Sequence, residues 1–499
     1  MTFIKEKRGM KEWLESNKPV EHGNFIGGVW SESKSGRTFS IYNSAKKDQQ
    51  LASFQDSNEH DANLAVEAAN EAFLSWSKVP GPDRGAILFK FADLLESNSE
   101  ELAFMLSAEQ GKVFSESIGE VYRAAKEARF AAGEASRIDG NTLPGERPNV
   151  WNSTVRKPIG VVAAIAPWNF PIVTPVRKIA PALACGCTVV FKPASATPWT
   201  SVKLMELFAE AGVPNGVVNL VVGGGSKVGT PLVNHPLVKG ISFTGSTELG
   251  RKINEAAGRR LVKTQLELGG KNPAVVIDYE DVEYVAKQIV SAAFAVSGQR
   301  CTAISRVIVH KNVKEDLTKA ILEEVRQVKV GPAWENGVTM GPLVDKSQLE
   351  SVQKYIQIGI EEGASLIYGG KLLEGGLYDE GYYLSPTLFD NVTPDMRIAK
   401  EEIFGPVLSI ITVNNTKEAF EVANEVDYGL AASLFTKDLA SAYEFAEHVE
   451  SGMVHINHGT SSAAHLPFGG VKQSGFGAYS IGHSNIEFFT NTKAVYFQY

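Results

Sequence analysis

Two short runs carry the residue types that covalent chemistry on a carbonyl needs. Cys301 stands in Gly298-Gln299-Arg300-Cys301-Thr302, and Glu267 opens the run Glu267-Leu268-Gly269-Gly270-Lys271-Asn272-Pro273. A free thiol has a pKa near ~8.5, so only a few per cent is thiolate at pH 7, yet thiolate is the best nucleophile among the side chains. Its adduct with an aldehyde is a hemithioacetal, whose carbon can surrender hydride to leave a thioester. Hydrolysing that thioester requires an activated water, and a carboxylate raised towards neutrality by an apolar cleft suits the task. The Gly269-Gly270 pair lets backbone approach a ligand closely. The competing readings are plainer: a cysteine as a small core residue, and a glutamate exposed at a strand end.

Those residues need elements to position them. Asp281 to Val296 has Val282, Val285, Ile289, Ala293 and Phe294 at helical spacing and delivers the chain to the Cys301 turn. Ala303 to Val309 then reads as a strand. Upstream, Val161–Ile165, Thr188–Phe191, Val217–Val222 and Gly240–Phe243 read as strands, with amphipathic segments such as Ser201–Ala211 between them. Continuous β-branched runs separated by helices predict a parallel sheet covered on both faces, a dinucleotide-type fold. A strict G-x-G-x-x-G is absent, because Gly223 and Gly225 are followed by Val228. Gly223 to Gly229 carries a longer glycine spacing instead. Phe243-Thr244-Gly245-Ser246-Thr247 ends a strand and opens a helix, whose free N–H groups can meet a pyrophosphate. Either cluster alone is equally well a simple turn. Before this region, Asn24–Trp30 reads as a hairpin, Asp61–Trp76 and Arg84–Glu96 as helices, and Asp139–Gly145 as a loop. The tail from Ile486 to Tyr499 reads as an apolar strand that needs cover.

The chain has 499 residues and a formal net charge of -8. That argues against nucleic acid or an anionic membrane as partner, but not against an acidic small molecule. Three cysteines fit a reducing compartment. Cys185-Gly186-Cys187 reads as small residues entering a strand, and no metal site is expected. The charged start, Met1 to Arg8, carries no secretory signal, and no window is apolar enough to span a membrane. A cytoplasmic protein is the expectation.

With Pro167-Trp168-Asn169-Phe170-Pro171, these runs resemble the aldehyde dehydrogenase superfamily along nearly the whole chain. The resemblance implies an α/β fold: a Rossmann-type NAD(P)-binding domain over 1–148 and 160–266, an α/β catalytic domain over 267–478, and an oligomerisation sheet from 149–159 and 479–499, giving a homodimer or homotetramer. It implies Cys301 as nucleophile, Glu267 as base, and Asn169 with the Cys301 N–H as oxyanion donors. For the cofactor it implies Ile165, Pro167, Trp168, Lys192, Ser195, Gly225, Gly229, Phe243, Gly245, Ser246, Leu268, Glu402 and Phe404. Where members commonly carry a glutamate that clasps the ribose, this chain has Ser195, so repulsion of a 2′-phosphate is absent and NADP⁺ is accepted besides NAD⁺. Coenzyme A-acylating members typically lack a glutamate at the Glu267 position.

For the substrate, Arg177 and Ser462 match positions of the succinic semialdehyde dehydrogenase branch that touch the substrate's acidic tail, and that branch shares Lys192-Pro193-Ala194-Ser195. Ala295 departs from it, because that branch usually carries a second arginine there. His465 offers a substitute donor. Three donors converging from different directions, Arg177, Ser462 and His465, suit a tetrahedral sulfonate and are similar to the arrangement in sulfolactaldehyde dehydrogenases. A small anionic aldehyde is therefore expected. A neutral or aromatic aldehyde, a coenzyme A-acylating reaction and a catalytically silent structural relative remain the alternatives.

Overall fold

The computed structural model describes residues 2–499, with side chains from Gly9 onwards; the charged start, Met1 to Arg8, lies outside the described side chains. Two large sheets set the frame. The first has eight strands. Its five central strands, Lys263–Glu267, Val238–Thr244, Val161–Ile165, Thr188–Lys192 and Val218–Leu220, run parallel in that order. All five residues of both Val161–Ile165 and Thr188–Lys192 are buried, which is why these strands read as unbroken apolar runs. The second sheet has seven strands, six of them parallel: Thr387–Asp390, Val407–Val413, Ile304–His310, Asn272–Val276, Ala431–Phe435 and Met453–Ile456. A separate antiparallel sheet joins Thr142–Pro144, Val150–Pro158 and Thr490–Gln498.

Four helices flank the strand ends where the two sheets meet: α1 (Phe114–Glu134), α2 (Val173–Ala184), α3 (Thr247–Gly258) and α4 (Val282–Phe294). Asp281 starts α4 by accepting the Tyr284 N–H at 2.9 Å.

Three expectations shift. The run Val217–Val222 is a ladder strand only over Val218–Leu220, because the Val222 N–H is taken by Asn24 Oδ1 at 3.0 Å. The loop expected over Asp139–Gly145 contributes Thr142–Pro144 as a strand of the small sheet. The tail is not one strand: Ile486–Phe489 is a helical turn that buries Phe488 and Phe489 in the chain's own core, and pairing begins at Thr490.

Candidate active site

The ends of the two large sheets face each other across a cleft of about 600 Å³. Pro167 and Trp168 follow the strand ending at Ile165, Gly245 and Ser246 follow the one ending at Thr244, and Glu267 ends the edge strand of the parallel set. Cys301 and Phe404 precede the second sheet's strands Ile304–His310 and Val407–Val413. Pro167, Trp168, Thr244, Gly245, Ser246, Glu267, Cys301 and Phe404 line the cleft, together with Asn169, Arg177, Leu268, Glu402 and Ser462.

The Cys301 turn is built on unusual backbone. Three consecutive residues, Val296 (φ 55°), Ser297 (φ 57°) and Gly298 (φ 69°), are left-handed. For a β-branched valine this is a strained conformation, held only where its surroundings dictate it. Glu116 Oε1 accepts the Val296 N–H at 2.8 Å, Ser297 Oγ donates to the Gly341 carbonyl at 2.8 Å, and the Gln299 N–H returns to the Val296 carbonyl at 3.0 Å. Gly298 has no substitute, since a Cβ there would lie 2.2 Å from the Gly405 oxygen. Beyond the turn, Asn272 Nδ2 grips the carbonyls of Cys301 (2.7 Å) and Ala303 (2.8 Å).

The double glycine after Glu267 admits neighbouring protein chain. A Cβ on Gly269 would meet Glu402 Oε2 at 2.3 Å, and one on Gly270 would meet the Cys301 carbonyl at 2.5 Å. The Gly270 N–H donates to Glu402 Oε1 at 3.0 Å. The close approach read from the sequence as one to a ligand is thus made here by Glu402 and by the nucleophile's own loop.

Asn169 Nδ2 donates to the Gln299 carbonyl at 2.9 Å, beside the Cys301 turn. Its loop rests on a buried ion pair that the sequence did not suggest. Lys112 Nζ donates to the Asn169 carbonyl (2.7 Å) and to Glu120 Oε2 (2.6 Å), with both charged side chains almost wholly enclosed. Glu120 Oε1 in turn accepts the N–H groups of Ile172 and Val173 at 2.9 and 3.0 Å, anchoring the start of α2.

Burial and neighbouring carboxylates set the electrostatics. The Cys301 thiol is pushed up to about 12, first by burial and then by Glu402 and Glu267, against the opposing pull of Arg177 and Arg300. Burial also raises Glu267, while the nearby cations of Lys178 and Arg177 work against it. Lys178 is drawn down by the same burial. Glu267 Oε2 is buried without a hydrogen-bond partner. Burial lifts Glu402 to about 7.

The expected cofactor residues fall into two groups. Pro167, Trp168, Gly245, Ser246, Leu268, Glu402 and Phe404 line the cleft. Trp168 and Phe404 meet edge to face at 5.4 Å. Ser246 caps α3, and Phe243 packs its ring beneath Gly245, where a Cβ would meet it at 2.5 Å. Lys192, Ser195, Gly225 and Gly229 gather beyond the strand ends near Ile165. Lys192 Nζ donates to the Pro193 carbonyl at 2.8 Å, its stem lies 3.7 Å from the Cβ position of Gly229, and burial lowers it to about 8. The exposed Ser195 donates to the Gly223 carbonyl at 3.3 Å, and Gly225 borders open space.

The substrate expectations divide. Arg177 and Ser462 line the cleft, but Arg177 commits Nε and Nη2 to Glu127 at 3.0 and 2.8 Å. His465 does not join them. It is exposed and is not among the cleft-lining residues, because the chain turns between Ala463 and Leu466 and carries it outward. The three-donor cluster is therefore not assembled. Ala295 lines the cleft as a small side chain. Sequence reasoning missed Glu116, Glu120, Arg123 and Glu127, charged residues of α1. Their spacing along one helical stripe is the signal that was available.

A profile described as the aldehyde dehydrogenase family matches residues 30–495. The chain belongs to that family. It is an NAD(P)-dependent aldehyde dehydrogenase enzyme. It is 43% identical over 474 residues to the alpha-ketoglutaric semialdehyde dehydrogenase of Bacillus subtilis, covering 95% of this chain and 97% of that one. It is 42% identical over 466 residues to the 2,5-dioxopentanoate dehydrogenase of Saccharolobus solfataricus, covering 93% and 96%. Among solved structures it is similar to betaine aldehyde dehydrogenase from Staphylococcus aureus in complex with NAD⁺, with a TM-score of 0.95, 32% identity and coverage of 99% and 97%. Among the described residues of this aldehyde dehydrogenase, no helix is long and apolar enough to cross a membrane, and no cluster of acidic, histidine and cysteine side chains is arranged to hold a metal ion.

Proposed function

We propose that this enzyme oxidises a short aldehyde with an anionic tail to the carboxylic acid, with Cys301 as nucleophile, Glu267 as base and Asn169 as oxyanion donor. The observation that carries the reading is the cleft lined together by Cys301, Glu267, Asn169, Arg123 and Arg177. Cys301 Sγ bonds to the aldehyde carbon and its proton leaves with the help of the base. The Asn169 amide and the Cys301 N–H steady the developing oxyanion. A nicotinamide held at Glu402, Trp168 and Phe404 would supply the acceptor for the hydride that the hemithioacetal carbon gives up. Glu267 then takes a proton from water, the water oxygen bonds to the acyl carbon, and the C–S bond breaks to free the thiol and the acid.

The residues present fit a nicotinamide cofactor. The Gly269 backbone leaves Glu402 at the cleft, Trp168 and Phe404 offer ring edges, and Lys192 beside Gly229 has a backbone carbonyl as its hydrogen-bond partner. Ser195, neutral and exposed, supports use of NADP⁺ besides NAD⁺. The names of the two semialdehyde-type relatives support a carboxylated semialdehyde. The exposed position of His465 favours succinic semialdehyde or a longer carboxylated homologue over sulfolactaldehyde. The domain division read from the sequence stands as part of this proposal. Leu143, Trp151, Tyr496 and Phe497, exposed on the small antiparallel sheet, support assembly into a dimer or tetramer.

The test is aldehyde-dependent formation of NADPH or NADH by the purified chain, without coenzyme A, over carboxylated, sulfonated and neutral aldehydes. Turnover that requires coenzyme A, or that survives Cys301→Ala, would overturn the reading.

A further inference from the structure

One short link ties the turn of the nucleophile to the oxyanion candidate. The helix Ser99–Gln110 ends at Gly111, left-handed at φ 96°, and α1 begins at Phe114. Lys112 lies between them, its N–H held by Gln110 Oε1 at 3.0 Å. Its side chain has no exposed surface and reaches the segment from Asn169 to Val173. There Nζ donates to the Asn169 carbonyl at 2.7 Å and sits 4.2 Å from the Phe170 ring centroid. Its partner Glu120, at 2.6 Å, holds the other end of the segment by accepting the Ile172 and Val173 N–H groups. From the same link, Glu116 accepts the Val113 N–H at 3.3 Å and the Val296 N–H at 2.8 Å.

Stability alone does not account for the Lys112–Glu120 pair. Apolar residues of similar volume often replace a buried ion pair with no loss of stability. Apolar side chains cannot hold a carbonyl oxygen and two amides in fixed places. The segment held by the pair carries Asn169, whose Nδ2 donates to the Gln299 carbonyl at 2.9 Å, close before Cys301 in the chain. An amide nitrogen carries two hydrogens. The Gln299 carbonyl takes one, which leaves one for an oxygen that gains charge in the cleft that Asn169 lines.

We infer that Lys112 is a positioning residue for the oxyanion step: with Glu120 it fixes the Asn169 amide against Cys301, so that its loss slows acylation and leaves aldehyde binding unchanged. The inference rests on the proposed role of Asn169 as oxyanion donor and adds to it the pair that sets its place. Lys112 is wholly enclosed, so it acts through Asn169 and not on the substrate. A reacting geometry misplaced by about 1 Å loses on the order of 10²-fold in rate. The effect falls on the carbonyl oxygen, so it is the same for aldehydes with charged and with neutral tails.

A double-mutant cycle on the full-length enzyme tests this, read as the single-turnover rate of NADPH or NADH formation from succinic semialdehyde and from butanal. Asn169→Ala is expected to slow that rate about 10²- to 10³-fold. Lys112→Met is expected to slow it about 10- to 100-fold, equally for both aldehydes, with half-saturation for each kept within about threefold. In the Asn169→Ala background, Lys112→Met is expected to add no more than about threefold, because the group it positions is already gone. Lys112→Arg keeps a charged donor in a displaced place and is expected to slow the rate by less than about tenfold; it carries the same cycle if the methionine form does not fold. Losses that multiply in the double variant would show a role independent of Asn169 and overturn the inference. So would an undiminished single-turnover rate in Lys112→Met, or a loss confined to half-saturation or to one aldehyde. A single-turnover rate undiminished in Asn169→Ala would overturn the oxyanion reading of Asn169, and this inference with it.

Discussion

Glu116 Oε1 lies 2.8 Å from the Val296 amide nitrogen and accepts its hydrogen bond, fastening the first of three left-handed residues that lead to Cys301. Burial raises the Glu116 carboxyl, so a neutral side chain with an acceptor in the same place is a close substitute. Glu116→Gln is expected to keep the fold and most of kcat. Glu116→Leu strands the Val296 N–H and is expected to cost about 1–3 kcal/mol of stability and to lower kcat about tenfold or more. Thermal melts and single-substrate kinetics on the pair check this. Equal behaviour of the two variants would show that the turn holds itself.

Glu109 gives a pH signature. It is enclosed against Trp199 and Thr200, and burial raises it to about 7 from 4.5. A carboxyl raised on folding binds its proton more tightly in the native state, so its stabilising contribution is full below about 4.5 and is lost as pH rises through about 7. Glu109→Gln is expected to flatten the fall of Tm between those values. A slope unchanged by the substitution would place the titration elsewhere.

The thiol offers a chemical probe. Burial and then Glu402 hold the Cys301 pKa up at about 12. Glu402→Gln removes that carboxylate's charge and is expected to speed iodoacetamide alkylation at fixed pH about three- to tenfold. The quantity measured is the pseudo-first-order rate at Cys301 by peptide mass. A rate that stays the same or falls would mean that Glu402 does not act on the thiol.

Cofactor choice is testable at one position. Ser195→Glu places a carboxylate beside the Lys192 site and is expected to lower the NADP⁺ to NAD⁺ ratio of kcat/KM about 10- to 100-fold through repulsion of the 2′-phosphate. An unchanged ratio would assign selection to other residues.

The legible parts of the sequence were those in which local chemistry and pattern agree. The buried parallel strands announced themselves as β-branched runs, and the Cys301, Glu267 and Asn169 runs brought their own context. The turn before Cys301 was not legible, because a valine argues against the left-handed conformation that Val296 adopts. Arg123 was hidden for a different reason. A charged stripe on a helix ordinarily faces water, and only the packing of α1 against α2 turns it into a cleft wall. His465 misled because distance along the chain says nothing about which way a loop turns. Phe488 and Phe489 read as part of an apolar tail, whereas a helical turn folds them into the core.

The central claim is that Cys301 carries the acyl group and Glu267 helps to release it. The direct measurement is rapid-quench intact and peptide mass spectrometry of Glu267→Gln mixed with succinic semialdehyde and NADP⁺. One equivalent of NADPH in a burst and a matching acyl adduct on the Cys301 peptide are expected, with steady-state turnover reduced about 10²- to 10⁴-fold. A full burst of NADPH with no adduct on Cys301, or undiminished steady-state turnover, would contradict it.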